Sequence, residues 1–132
     1  RLGRFGLPIK VTEFDQNLED EQIRGEDLTE FYRTCFAHPA VAGILMWGFW
    51  EGAHWRPAAA LWKKDFRPTA AAEAYDRLVL DEWWTQWEGR LGDNGECEVP
   101  VFFGRHKVRV GRRTHEVFVG REEGKLILDA RY

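Results

Sequence analysis

The sequence has 132 residues, 44% hydrophobic and 31% charged, the make-up of a folded domain with a real core and not of a disordered chain. Its net charge of −3 gives no electrostatic case for nucleic acid or an anionic membrane surface, and no apolar run approaches the roughly 18 to 20 residues of a membrane span. The two cysteines, Cys35 and Cys97, make no metal motif and read as unrelated thiols. The chain opens on Arg1 with no charged-then-apolar leader after it, so the natural start and any signal peptide are expected upstream.

Residues 7–14 form a mostly apolar, β-branched run bounded by Gly6 and by Gln16-Asn17, with Pro8 tolerated at a strand's first position. The two-residue period puts Ile9, Val11 and Glu13 on one core-directed face. A helix is predicted over 20–37, because Leu28, Phe31, Tyr32, Cys35 and Phe36 recur as one stripe. Gly25 weakens its first half, and His38-Pro39 ends it. Residues 41–49 are a second apolar run without alternation, as expected of a strand buried on both faces. A strand, a helix and a strand joined this way imply two parallel neighbours in one sheet.

An aromatic and charged loop follows over 50–64, and Pro68 opens a second helix predicted to run to about residue 84. Beyond residue 88 the character changes. Gly89, Gly92 and Asp93-Asn94-Gly95 mark a linker, after which 96–103, 106–110, 114–119 and 125–128 read as short strands separated by turns at 111–113 and 120–124. The chain therefore divides into an α/β part, 1–88, and a small antiparallel β-unit, 89–132.

The chemistry collects where the first two strands end. Glu13 is a carboxylate at a strand's C-terminal end, a position that faces the active site in a β/α barrel and that otherwise serves a local ion pair. Asp15, two residues on, is placed to support it. The second strand delivers tryptophans, and indoles both fill cores and stack on the flat apolar faces of sugars. Other groups read more plainly. Glu51 and His54 are loop hydrogen-bonding residues, Glu51 near Arg56 or His54. Trp83, Trp84 and Trp87 are packing residues before they are a sugar platform. The basic run from Arg105 to Arg113 is the solvated face of an antiparallel sheet.

Three segments in order carry a resemblance to a family. Pro8-Ile-Lys-Val-Thr-Glu-Phe-Asp15 resembles the nucleophile strand of glycoside hydrolase family 10, the endo-1,4-β-xylanases. His38-Pro-Ala-Val-Ala-Gly-Ile-Leu-Met-Trp-Gly-Phe-Trp-Glu-Gly-Ala-His-Trp-Arg-Pro57 is similar to its eighth strand and the loop beyond, and residues 68–85 to its last helix. The resemblance implies strands seven and eight, with their helices, of a (β/α)8 TIM barrel, followed by an appended β-module. It implies Glu13 as catalytic nucleophile, Asp15 as supporting residue, and Trp47, Trp55 and Arg56 as substrate-binding residues. The expected substrate is β-1,4-xylan or a xylo-oligosaccharide, with no metal and no organic cofactor. The expected location is extracellular or at the cell surface.

The family's acid/base glutamate belongs to an Asn-Glu pair, and no such pair occurs in these residues. The expectation is a fragment that holds the nucleophile but not its proton donor, that needs the missing N-terminal barrel segment for a complete site, and that is inactive alone. Two other readings stay open. One is a non-catalytic carbohydrate-binding or scaffold protein derived from a decayed barrel; the other is a short enzyme that completes its barrel with another chain.

Overall fold

In the computed structural model, which describes residues 1–121 and 124–130, a 3-10 turn (Leu2–Phe5) leads into strand β1 (Ile9–Phe14). β1 pairs in parallel with β2 (Val41–Met46), in the register Ile9↔Val41, Lys10↔Gly43, Val11↔Ile44 and Phe14↔Met46. The register slips between Val11 and Phe14. The extra residue on β1 breaks the two-residue period there, so Ile9 and Val11 are half-buried while Glu13 is exposed and not on a core-directed face.

The strands are joined by helix α1 (Glu21–Ala37). Asp20 caps it, its Oδ1 accepting from the backbone N–H groups of Gln22 and Ile23 at 2.9 and 3.0 Å. His38, extended before Pro39, ends it. Gly25 has a packing role that its helix propensity hides. A methyl group there would lie 2.9 Å from the Ala70 carbonyl oxygen, so only glycine lets α1 meet the start of α2 (Ala70–Asp76) this closely.

Thr69 caps α2, its Oγ1 accepting from the Ala72 N–H, so Pro68 stands one place before the cap and not in the first helical turn. From Arg77 to Glu82 the helix continues in π geometry, short of the predicted residue 84. The core lies between the helices: Leu28, Tyr32 and Cys35 of α1 are buried, as are Ala71, Ala72, Ala74 and Leu78. Phe14 brings β1 into it by stacking on Phe31, ring centroids 4.2 Å apart, and Tyr32 meets Tyr75 edge-on.

β2 is shorter than predicted and is not buried on both faces. Val41, Ile44 and Met46 are half-buried, but Leu45 on the other face is 64% exposed. The sheet of this unit has two strands. Gly48, at φ +145°, turns the chain out of the strand direction.

The chain forms two compact units, Arg1–Glu82 and Trp83–Tyr132. Among its described residues the second holds an antiparallel hairpin, β3 (Gly104–Val110) and β4 (Arg113–Val119), turned by Gly111 at φ +61°. Arg105, Lys107 and Arg109 line its exposed face, while His106, Val108 and Val110 are half-buried. The strands predicted over 96–103 and 125–128 are not formed. Backbone groups of the first are taken by side chains instead of a ladder: Phe102 N–H donates to Thr85 Oγ1 at 3.1 Å, and Phe102 O lies 2.8 Å from His106 Nε2. Pro100 also removes a donor. Part of the turn expected at 120–124 lies outside the described residues. Trp84 and Trp87 are 60% and 51% exposed, so the expected packing role does not extend to burying them.

Candidate functional site

The ends of β1 and β2 bring most of the candidate residues into one region. Trp47 N–H donates to Phe14 O at 3.0 Å, which carries the strand pairing one residue past β2 and fixes Trp47 beside the end of β1. Trp47 itself is 49% exposed. Asp15, half-buried just after β1, accepts a 2.8 Å hydrogen bond through Oδ2 from Trp55 Nε1. The Arg56 guanidinium lies over the Trp55 ring, its carbon 4.3 Å from the centroid. Trp55 is therefore held at an edge by a carboxylate and on one face by a cation, although it is 62% exposed. Glu13 stands two residues before Asp15, exposed, and no hydrogen bond or ion pair holds its side chain among the described residues.

The loop that carries Trp55 is itself braced. His54 is buried and its Nδ1 accepts the Arg56 backbone N–H at 3.0 Å. A methyl group on Gly48 would lie 2.9 Å from the His54 ring, so the backbone after β2 and this imidazole share one tight space. Trp50 stacks on Phe66 at 5.5 Å and donates to Lys64 O, while Glu51 Oε2 accepts from Lys64 N–H at 2.9 Å. Glu51 is thus a loop carboxylate as expected, though its partner is the Lys64 backbone and not Arg56 or His54.

Sequence reasoning missed the part played by Gly48, and it named His54 as a hydrogen-bonding residue without its partner. The signal for the latter was present: a side chain that accepts from the N–H two residues on is a common local turn pattern. Among the described residues, no group of three or more His, Cys, Asp or Glu side chains gathers to hold a metal ion.

Comparison with solved structures places the first-unit architecture in a class. A crystal structure of xylanase 10B from Thermotoga petrophila RKU-1 in complex with xylobiose superposes with a TM-score of 0.54 at 25% identity, over 62% of this chain and 29% of that one. The parallel strand pair with its helices is consistent with part of a β/α barrel of that kind. The profile of glycosyl hydrolase family 10 matches residues 1–78, and the chain belongs to this family.

Two curated relatives are similar over more of its length. The anti-sigma-I factor RsgI6 of Acetivibrio thermocellus is 33% identical over 96% of this chain, and endo-1,4-beta-xylanase 2 of Arabidopsis thaliana is 36% identical over 83% of it. This chain spans only 17% and 10% of those two proteins.

Proposed function

We propose that these residues form strands seven and eight, with their helices, of a retaining glycoside hydrolase that cleaves β-1,4-xylosidic bonds. Glu13 is the nucleophile and attacks the anomeric carbon, forming a glycosyl-enzyme as the leaving oxygen departs. A second carboxyl group about 5–5.5 Å away protonates that oxygen and then activates water. The second carboxyl group comes from polypeptide outside these residues, which contain no Asn-Glu pair. Asp15 supports the nucleophile region, and Trp47, Trp55 and Arg56 receive the xylose chain. The protein works outside the cell or at its surface, where polymeric xylan is found.

The observation that carries this reading is the 2.8 Å bond from Trp55 Nε1 to Asp15 Oδ2. It ties the strand that bears Glu13 to an indole 40 residues away that is 62% exposed. Family membership and the similarity to xylanases support the substrate class.

The test is a covalent label. A 2-fluoro-xylobioside with a good leaving group, given to the protein in its longest natural form, is expected to leave its glycosyl group on Glu13, read by peptide mass mapping. Glu13→Gln is expected to abolish the label and to slow xylan hydrolysis by at least about 10⁴-fold. A label on any other residue rejects the assignment.

A second reading is a non-catalytic xylan-binding module derived from the barrel. It is favoured by the similarity to RsgI6, whose name is that of a regulator and whose match extends over nearly the whole chain. Retained xylo-oligosaccharide binding with no label in the unaltered protein selects it.

A further inference from the structure

The contact between Arg56 and Trp55 has a consequence for which xylan chain the site takes. An indole has two faces. The Arg56 guanidinium occupies one, 4.3 Å from the ring centroid, and Asp15 holds the Nε1 edge. Trp55 is 62% exposed, and a sugar stacking on it takes the face that Arg56 does not cover.

The Arg56 guanidinium carbon lies over the Trp55 ring. The planar fork of N–H donors on a guanidinium matches a carboxylate. Among the described residues no carboxylate forms an ion pair with Arg56, so its donors are open to a ligand. We propose that Arg56 reads a carboxylate carried by the polysaccharide, so that the site prefers a xylan bearing uronic-acid branches over a plain one. This rests on the proposal that Trp55 receives the xylose chain.

Distance selects the branch over the main chain. A xylose stacked on the face opposite Arg56 lies about 8 Å from the guanidinium, across the thickness of the indole. A hydroxyl of that xylose is too short to cross the gap. A uronic-acid branch is a full sugar ring long with its carboxylate at one end, so it can pass the rim of the indole and meet the guanidinium N–H groups. Acidic polysaccharides without a xylose backbone offer the same carboxylate but nothing for Trp55 to orient in register with Arg56.

The test is calorimetric titration of the protein with three probes: a plain xylo-oligosaccharide, the same backbone with one glucuronic-acid branch, and an oligogalacturonate. The branched probe is expected to bind about fivefold more tightly than the plain one, the scale of an exposed charge-assisted contact. That ratio should fall to about one in Arg56→Gln and stay partly above one in Arg56→Lys, which keeps the charge without the fork. Arg67→Gln, a neutralised arginine whose partner is Asp65, should leave the ratio at its original value.

A ratio of one in the unaltered protein overturns the proposal, as does a ratio that survives Arg56→Gln. Oligogalacturonate binding as tightly as the branched probe overturns it too. Each of these leaves the xylan-site reading standing if the plain probe binds. Failure of both xylo-oligosaccharides to bind rejects that reading and this one with it.

Discussion

Tyr32 carries its hydroxyl from α1 toward β2, where it donates to Met46 Sδ at 2.9 Å, and the residue is only 4% exposed. Burial, followed by the neighbouring Tyr75 and Cys35, pushes its pKa up to about 12. An unfolded tyrosine ionises near pH 10. Between about pH 10 and 12 the unfolded chain therefore gives up a proton that the folded chain keeps. The stability tied to this phenol is fully present below the unfolded value and is lost as pH rises through the folded one. The loss is on the order of 2–3 kcal/mol. Titration of tyrosinate absorbance checks it: one phenol should resist ionisation until about pH 12 or until the chain unfolds, and Tyr32→Phe should remove that late step. Ordinary ionisation of every phenol near pH 10, with circular dichroism unchanged, refutes it. At this scale the candidate site was only partly legible. Glu13 and Trp47 lie near the ends of apolar runs and Trp55 in the aromatic loop after the second, positions that the sequence marks. The bond between Trp55 and Asp15 was not legible, because it depends on the path of a loop that Gly48, His54 and the Trp50–Phe66 stack set together.

Helix α1 is where local preference and packing disagree, at Gly25. Alanine there would gain about 1 kcal/mol of helix propensity. It would also drive a methyl group to 2.9 Å from the Ala70 carbonyl oxygen, and overpacking of that kind costs about 1–3 kcal/mol. The clashing atom is backbone at the first residue of α2 and cannot rotate away, so packing wins. Gly25→Ala is expected to destabilise the fold by about 1 kcal/mol, read as a lower urea midpoint with an unchanged slope; a raised midpoint would show that the helices can part at little cost. The same contrast explains which elements the sequence revealed. α1 was legible to within a residue because its stripe, its Asp20 cap and its Pro39 stop all agree. β2 ran short because an apolar sequence says nothing of where Gly48 turns the backbone. Residues 96–103 alternate as a strand should, yet a strand also needs a partner edge, and Phe102 gives its N–H and its carbonyl to side chains instead. α2 changes to π geometry at Arg77, where Leu78 remains buried, and no periodicity in 68–84 announces that change.

For the first unit taken whole, the decisive feature is a sheet with two strands and two unpaired edges. Beside it Leu45, Trp47 and Phe49 are 64%, 49% and 56% exposed, an apolar surface of the kind that marks a contact site. An unpaired strand edge next to such a surface is a template for pairing with another chain. A net charge of −3 is a weak opposing repulsion for 132 residues. The isolated 132-residue chain is therefore expected to associate with itself in a concentration-dependent way, as seen by sedimentation velocity. Leu45→Lys tests the cause. It places a charge on the open face of β2 while leaving the half-buried face of Val41, Ile44 and Met46 untouched. Removing one leucine from such a contact costs roughly 1.5 kcal/mol, so association should weaken by about tenfold. The same substitution should leave thermal unfolding of the dissociated chain nearly unchanged, because Leu45 contributes little to the core. If the unaltered chain stays monomeric at high micromolar concentration, the open face is stable in water as it stands. That outcome would favour the non-catalytic reading, in which the chain needs no further strands.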